Sequence, residues 1–146
     1  MKLHTTPLFQ SYERMFKEEV DLYHDIAQGL GLSNSALCVL YAMCELEDGC
    51  LQRDICANCY LSKQTVHSAV RVLEGKGLLQ AEPGHGRDRH LYLTPSGAAV
   101  AEQTVIPLSQ REIAAFTAMS REDQEALVRL TRTYLDLLRE KTRDLI

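Results

Sequence analysis

A segment near the middle of the chain combines basic and hydrogen-bonding side chains at helical spacing. Apolar residues recur at three- and four-residue steps from Val66 to Leu73, after a serine suited to capping a helix. The polar residues of this segment are Ser62, Lys63, Gln64, Thr65, His67, Ser68 and Arg71. Gln can pair bidentately with adenine, and Lys or Arg can bind guanine or phosphate. The pattern therefore predicts a helix whose exposed face could contact nucleic acid.

Two arginines follow in a loop between two short predicted strands. The strand candidates are residues 78–81 and 90–94, and the tip between them, residues 82–89, is polar and rich in glycine. This tip contains Arg87 and Arg89. Since a hairpin beside a helix in the major groove can reach the backbone or the minor groove, we expect these arginines to contact nucleic acid as well.

Helical patterns flank this region on both sides. The predicted helices cover residues 8–30, 34–46, 51–58, 63–75, 95–105 and a segment from 120 onward. Pro107 is expected to break or kink a pattern that then resumes as far as Phe116. The order of elements predicts a mainly α fold with a small β wing, in the α+β class. It is the order of a winged helix-turn-helix with long helices on either side.

Charge is unevenly distributed along the chain. The 146 residues carry a net charge of −4, and the 25% charged and 45% hydrophobic content is that of an ordinary globular domain. Residues 50–95 have six basic and four acidic side chains, a net charge of +2. Residues 1–49 carry −5 and residues 96–146 carry −1. The predicted helix and hairpin thus form a basic island, which favours a polyanionic partner at this part of the chain.

Four short motifs run through the basic island and its C-terminal border. They are Asp54-Ile55-Cys56, Leu61-Ser62-Lys63-Gln64-Thr65-Val66, Val72-Leu73-Glu74-Gly75-Lys76-Gly77-Leu78-Leu79 and Leu91-Tyr92-Leu93-Thr94-Pro95-Ser96-Gly97. Together they resemble the multiple antibiotic resistance regulator family, MarR, over residues 33–100, and the long flanking helices extend the likeness to most of the chain. The resemblance implies one domain over residues 1–146. Residues 8–30 and 96–146 would be dimerisation helices around a DNA-binding region at 33–95.

The resemblance also implies what the protein binds. A homodimer would bind double-stranded DNA at a pseudo-palindromic operator whose half-sites lie one helical turn, roughly 34 Å, apart. Arg87 stands at the family's wing arginine, which enters the minor groove, but His85 and Gly86 replace the acid that precedes it, so Arg89 stays a candidate too. A small aromatic or anionic effector would bind between the dimerisation helices and the winged domain. The residues that could line its pocket, or equally form dimer core, are Tyr12, Phe16, Tyr23, His24 and Phe116.

These features predict a ligand-responsive, dimeric transcriptional repressor, and two alternatives stay open. The first is a thiol-responsive regulator of the same fold, because the chain has cysteines at 38, 44, 50, 56 and 59. We expect Cys56 and Cys59 to be core residues, since no second C-x-x-C or His pair completes a zinc site. The second alternative is a winged-helix protein-interaction module without DNA binding, because the positive excess is small.

The sequence contains no motif that indicates another class of function. It has no nucleophile and base at motif spacing, no phosphate-binding glycine loop and no metal quartet, so we expect no enzyme activity, cofactor or metal. The N-terminal residues lack the apolar run of a signal peptide, and residues 26–44 are too polar to span a bilayer. We therefore expect a cytoplasmic protein with no membrane partner.

Overall fold

The computed structural model describes residues 5–84 and 88–145. Its elements in chain order are α1 (Pro7–Gly29), α2 (Asn34–Glu45), β1 (Cys50–Leu51), α3 (Gln52–Asn58), α4 (Lys63–Gly75), β2 (Leu79–Pro83), β3 (Arg89–Leu93), α5 (Pro95–Gln103), α6 (Val105–Thr117) and α7 (Arg121–Lys141). This mainly helical fold with a small antiparallel sheet is a winged helix, so the predicted fold class is confirmed.

The core of the first compact unit, residues 1–105, is built around α2. Val39 and Leu40 are fully buried in α2, and Ile55 of α3 and Val66 of α4 are fully buried as well. Ser33 caps α2 by accepting a hydrogen bond from the Ala36 N–H at 3.2 Å. Because α2 packs against α4, α3 and α1, it is buried on more sides than its predicted apolar stripe required.

A three-stranded sheet, in the order β1-β3-β2, forms the wing. β2 and β3 pair antiparallel from Leu79 opposite Leu93 to Pro83 opposite Arg89, so both strands reach further toward the loop than predicted. The sequence analysis missed β1, in which Leu51 pairs with His90. Leu51 was assigned to a helix, but that helix starts at Gln52. The wing is therefore attached to the beginning of α3 as well as to the end of α4.

The first turn of α5 packs closely against the start of the wing. Thr94 caps α5 by accepting from the Gly97 N–H at 3.0 Å, and its own hydroxyl donates to the Gly77 carbonyl at 2.6 Å. A Cβ atom at Gly97 would overlap the backbone carbonyl of Leu78, so this close approach requires glycine. Gly77 has a φ of +70°, which lets the chain turn sharply after α4.

The predicted helix break is present, but it lies at Thr104, three residues before Pro107. Pro107 itself lies in the first turn of α6. Proline is tolerated there because the first N–H groups of a helix have no acceptor within the helix.

The second compact unit, residues 106–146, contains most of α6 and all of α7. Ser120 caps α7 by accepting from the Asp123 N–H at 3.1 Å, as predicted. No described residue of α7 is buried, although the helix carries many apolar side chains. Over the described residues, no single helix is long and apolar enough to cross a membrane. Together, α1 and α2 have the necessary length and apolar content, but the two helices are bent by 87° relative to each other.

Candidate nucleic-acid interface

The predicted reading helix, α4, starts at an ordered N-cap. The Ser62 Oγ accepts a hydrogen bond from the Thr65 N–H at 3.1 Å and lies 2.8 Å from the Thr65 hydroxyl. A serine cap of this kind stabilises a helix by about 1 kcal/mol. It also places Ser62 and Thr65 at the positive end of the helix dipole, where N–H groups and hydroxyls suit an approaching phosphate.

The two faces of α4 differ in the way the sequence predicted. Val66 and Val70 are fully buried, and Ala69 and Leu73 are almost so. The other predicted site residues of the helix are all exposed, namely Ser62, Lys63, Gln64, Thr65, His67, Ser68 and Arg71. The structure therefore brings these seven residues together along one outward surface, which we call the α4 polar face.

Two cations on the α4 polar face are available for an anionic partner. Among the described residues, neither Lys63 nor Arg71 takes part in a salt bridge. They stand eight positions apart, a little over two helical turns, so both can lie on one side of the helix. The α4 polar face thus carries two of the six basic residues of the basic island.

The wing arginines have different positions. Arg87 lies outside the described residues. Arg89, at the start of β3, donates from Nη2 to the Glu74 Oε1 of α4 at 2.8 Å, while 53% of its side chain remains exposed. Arg89 therefore connects the base of the wing to the last turn of α4. The sequence analysis missed Glu74 as its partner because the two residues are 15 positions apart, with no local pattern linking them.

Further polar contacts fix the wing against α3 and the preceding turn. The His90 Nδ1 lies 2.7 Å from the Gly49 carbonyl oxygen. Arg53 of α3 approaches Asp88 with 3.8 Å between Nη1 and Oδ2. Exposed ion pairs at this distance contribute at most about 1 kcal/mol, so the sheet pairing and the His90 contact do most of the positioning.

His67 on the α4 polar face contacts the beginning of α3. Its Nδ1 lies 3.3 Å from the Oε1 of Gln52, the first residue of α3. The sequence analysis did not identify Gln52. Its contact with His67 depends on how α3 packs against α4, and no spacing rule within either helix predicts it.

The candidate effector residues lie on helices of both units. In α1, Tyr12 and Phe16 are exposed and Tyr23 is half-buried, while the exposed His24 has its Nε2 3.0 Å from the Gln28 amide nitrogen. Tyr12 also stacks on Phe9, with ring centroids 6.2 Å apart. Phe116 of α6 is 39% exposed. Each of these side chains is large and apolar or aromatic with accessible surface, so the expectation of a pocket or a dimer contact stays a prediction.

All five cysteines are free thiols, and four of them lie in environments that disfavour the thiolate. Cys59 is buried, as predicted, and donates to the Cys38 carbonyl with 3.4 Å between Sγ and oxygen, whereas Cys56 is half-buried. Burial raises the pKa of the Cys59 thiol to about 11. Burial also raises the pKa values of Cys38, Cys44 and Cys50. Across residues 5–84 and 88–145, no cluster of His, Cys, Asp and Glu side chains could hold a metal ion.

Part of the chain matches the model of a known protein family. Residues 30–88, which span α2, α3, α4 and the first half of the wing, match the model of the MarR family. The chain carries a MarR-type winged helix. The resemblance suggested by the four sequence motifs is therefore confirmed. Among curated proteins, none matches this sequence.

Solved structures share the fold over most of the chain. NMB1585, a MarR family regulator from Neisseria meningitidis, is 20% identical, with a TM-score of 0.77 over 97% of this chain and 100% of its own. MepR from S. aureus, solved as a DNA complex, is 22% identical, with a TM-score of 0.72 over 89% of this chain and 96% of its own. BpsR from Bordetella bronchiseptica, whose DNA binding is regulated by 6-hydroxynicotinic acid, is 21% identical, with a TM-score of 0.67 over 85% and 98%. All three share the MarR-type fold with this chain.

Proposed function

We propose that this protein is a sequence-specific transcriptional regulator that binds double-stranded DNA as a homodimer. The observation that carries the proposal is the division of α4, whose apolar residues are buried and whose seven polar site residues are exposed beside a wing. An α-helix fits the major groove, where Gln64, Lys63 and Arg71 could bind base edges or phosphates. The MepR complex with DNA supports this use of the fold.

The proposal of a dimer rests on the exposed apolar side chains of the helices outside the winged helix. Apolar side chains on α7 are strongly exposed in the single chain, including Leu127 at 46%, Leu130 at 56% and Leu137 at 51%. Monomeric proteins rarely expose continuous apolar stripes of this kind, because burying each leucine gains about 1.5–3 kcal/mol. A second copy of the chain would cover the stripe and place two α4 helices on one DNA duplex.

We further propose that the regulator is a repressor released from DNA by a small aromatic or anionic effector. BpsR, whose DNA binding responds to 6-hydroxynicotinic acid, supports this response. The effector would act by binding more tightly to a form of the dimer whose two α4 helices no longer match successive major grooves. Tyr12, Phe16, Tyr23, His24 and Phe116 are the candidate contacts. The raised pKa values of the Cys38 and Cys59 thiols make a thiol-responsive regulator the weaker alternative.

The proposal is tested by the salt dependence of binding to promoter-region DNA. We expect wild-type protein to bind with a logarithmic salt slope of several units, and Lys63→Ala and Arg71→Ala each to reduce that slope by about one if the side chain contacts a phosphate. Arg143→Ala, which removes an exposed cation outside the winged helix, is the matched control and should leave binding unchanged. Equal effects of all three variants, or no DNA binding by the wild type, would overturn the proposal.

A further inference from the structure

The contact between Gln52 and His67 joins a half-buried side chain of α3 to an exposed side chain of α4. His67 belongs to the α4 polar face, and Gln52 is the first residue of α3. The Gln52 Oε1 lies 3.3 Å from the His67 Nδ1. Because an amide oxygen can only accept, this contact is a hydrogen bond when Nδ1 carries the proton and the amide oxygen faces it.

Gln52 is held in place by structure on both of its sides. The preceding residue, Leu51, donates its N–H to the Asp54 Oδ2 at 2.9 Å, which closes the first turn of α3. Leu51 also pairs with His90 in the sheet. The backbone of Gln52 is therefore fixed relative to the wing, and its amide reaches His67 from the first turn of α3.

A fixed proton on Nδ1 determines what the rest of the imidazole can do. In a neutral ring with Nδ1 protonated, Nε2 has a lone pair and can only accept a hydrogen bond. In the major groove the hydrogen-bond donors are the exocyclic amino groups, N6 of adenine and N4 of cytosine. Guanine presents acceptors at O6 and N7 on its major-groove edge, so the ring in this form would not pair with it.

We propose that Gln52 is a positioning residue that fixes the Nδ1-protonated form of His67, so that His67 reads an adenine or cytosine amino group in the operator. The inference rests on the proposed DNA-binding function. With His67 in this form, α4 would present both hydrogen-bond donors and an acceptor to the bases. Lys63 and Arg71, one turn to either side of His67, donate hydrogen bonds, whereas His67 accepts one. Gln52 itself contributes only through His67.

The tautomer is measured first, on the full-length protein without DNA, by long-range proton–nitrogen NMR of labelled histidines at about pH 8, where a histidine of ordinary pKa is neutral. We expect His67 to be protonated at Nδ1 in the wild type and in Gln52→Glu, whose carboxylate can only accept. Gln52→Met should shift His67 toward the Nε2-protonated form. His24, which has its own glutamine contact at 3.0 Å, is the internal control and should not change. An Nε2-protonated His67 in the wild type, or no shift in Gln52→Met, would overturn the inference.

Selection of operators from randomised DNA then tests the reading role. We expect a position at which the wild type and Gln52→Glu prefer a base with a major-groove amino group, and at which His67→Ala loses that preference several-fold while still binding DNA. Gln52→Met should weaken the same preference at the same position. If His67→Ala keeps every preference of the wild type, the reading role is wrong. If the wild type binds no DNA, the proposed function and the reading role both fail. The NMR measurement, which uses no DNA, still shows whether Gln52 fixes the tautomer of His67.

Discussion

The winged helix buries its apolar residues within the single chain, whereas the long helix α7 leaves its apolar residues exposed. In the winged helix, Leu40, Ile55 and Val66 are fully buried within one chain. In α7, which has a clear apolar stripe, no described residue is buried. The winged helix therefore carries its own core, whereas the apolar stripe of α7 has none in the single chain and would gain one in the proposed dimer.

The largest expected effect comes from placing charge on the exposed stripe of α7. We expect Leu130→Glu with Leu137→Glu to convert a dimer into a monomer, because two carboxylates would have to be buried without partners. Sedimentation or light-scattering mass measures the change. Arg129→Glu, on the polar side of α7, is the control and should remain dimeric. A wild-type protein that is monomeric at micromolar concentration would contradict the proposal that a second copy covers the α7 stripe.

A cavity in the winged-helix core should have the next largest effect. Leu40 is fully buried, so we expect Leu40→Ala to lower the free energy of unfolding by about 2–5 kcal/mol, measured by chemical denaturation. Val72→Ala, at a residue of α4 that is 52% exposed, is the control and should change stability by less than about 0.5 kcal/mol. Similar losses in both variants would mean that the winged helix does not have the self-contained core described above.

The ion pair between the wing and α4 should contribute less. We expect Glu74→Gln to lower the free energy of unfolding by less than about 1 kcal/mol, because both partners are partly exposed. The same variant should bind DNA slightly more tightly, since it removes a negative charge and frees Arg89 for a phosphate. Glu82→Gln, an exposed residue of β2, is the control for a general loss of acidity. Weaker DNA binding by Glu74→Gln would show that the pair aligns the wing for binding.

The smallest expected effect is a pH dependence from the buried thiol of the winged helix. Burial raises the pKa of Cys59 from its ordinary value of 9.0 to about 11, so the folded state holds this proton more tightly than the unfolded state. Its contribution is complete below about pH 9 and is lost as the pH rises toward 11. We expect Cys59→Ala to flatten this alkaline loss in denaturation curves. A Cys59 that reacts with alkylating reagents at neutral pH as fast as an exposed thiol would contradict the burial.

The sequence predicted those parts of the molecule that depend on neighbours along the chain. The two faces of α4 and the caps at Ser33, Ser62 and Ser120 follow from helical periodicity and from hydrogen bonds three residues apart. The break at Pro107 was placed three residues too late, because the pattern alone does not give the place of a proline within its turn. The same local logic therefore located the α4 polar face and mislocated the end of α5.

The parts that the sequence did not predict depend on contacts between distant residues. β1 has two residues and exists because it pairs with β3, about 40 positions later. Glu74 with Arg89 and Gln52 with His67 are each 15 positions apart and meet only after the helices and wing have packed. The residues of the candidate site that face outward were therefore predictable, whereas those that hold them in position were not.

Hydroxyl-radical footprinting on promoter-region DNA tests the central claim most directly, because it reads both the α4 polar face and the dimer in one measurement. The account predicts two related protected half-sites one helical turn, roughly 34 Å, apart, with protection lost in the Lys63→Ala, Arg71→Ala double variant. It also predicts that Leu130→Glu with Leu137→Glu loses the paired pattern. No protection by the wild-type protein, or a single unpaired site that the double variant still protects, would contradict it.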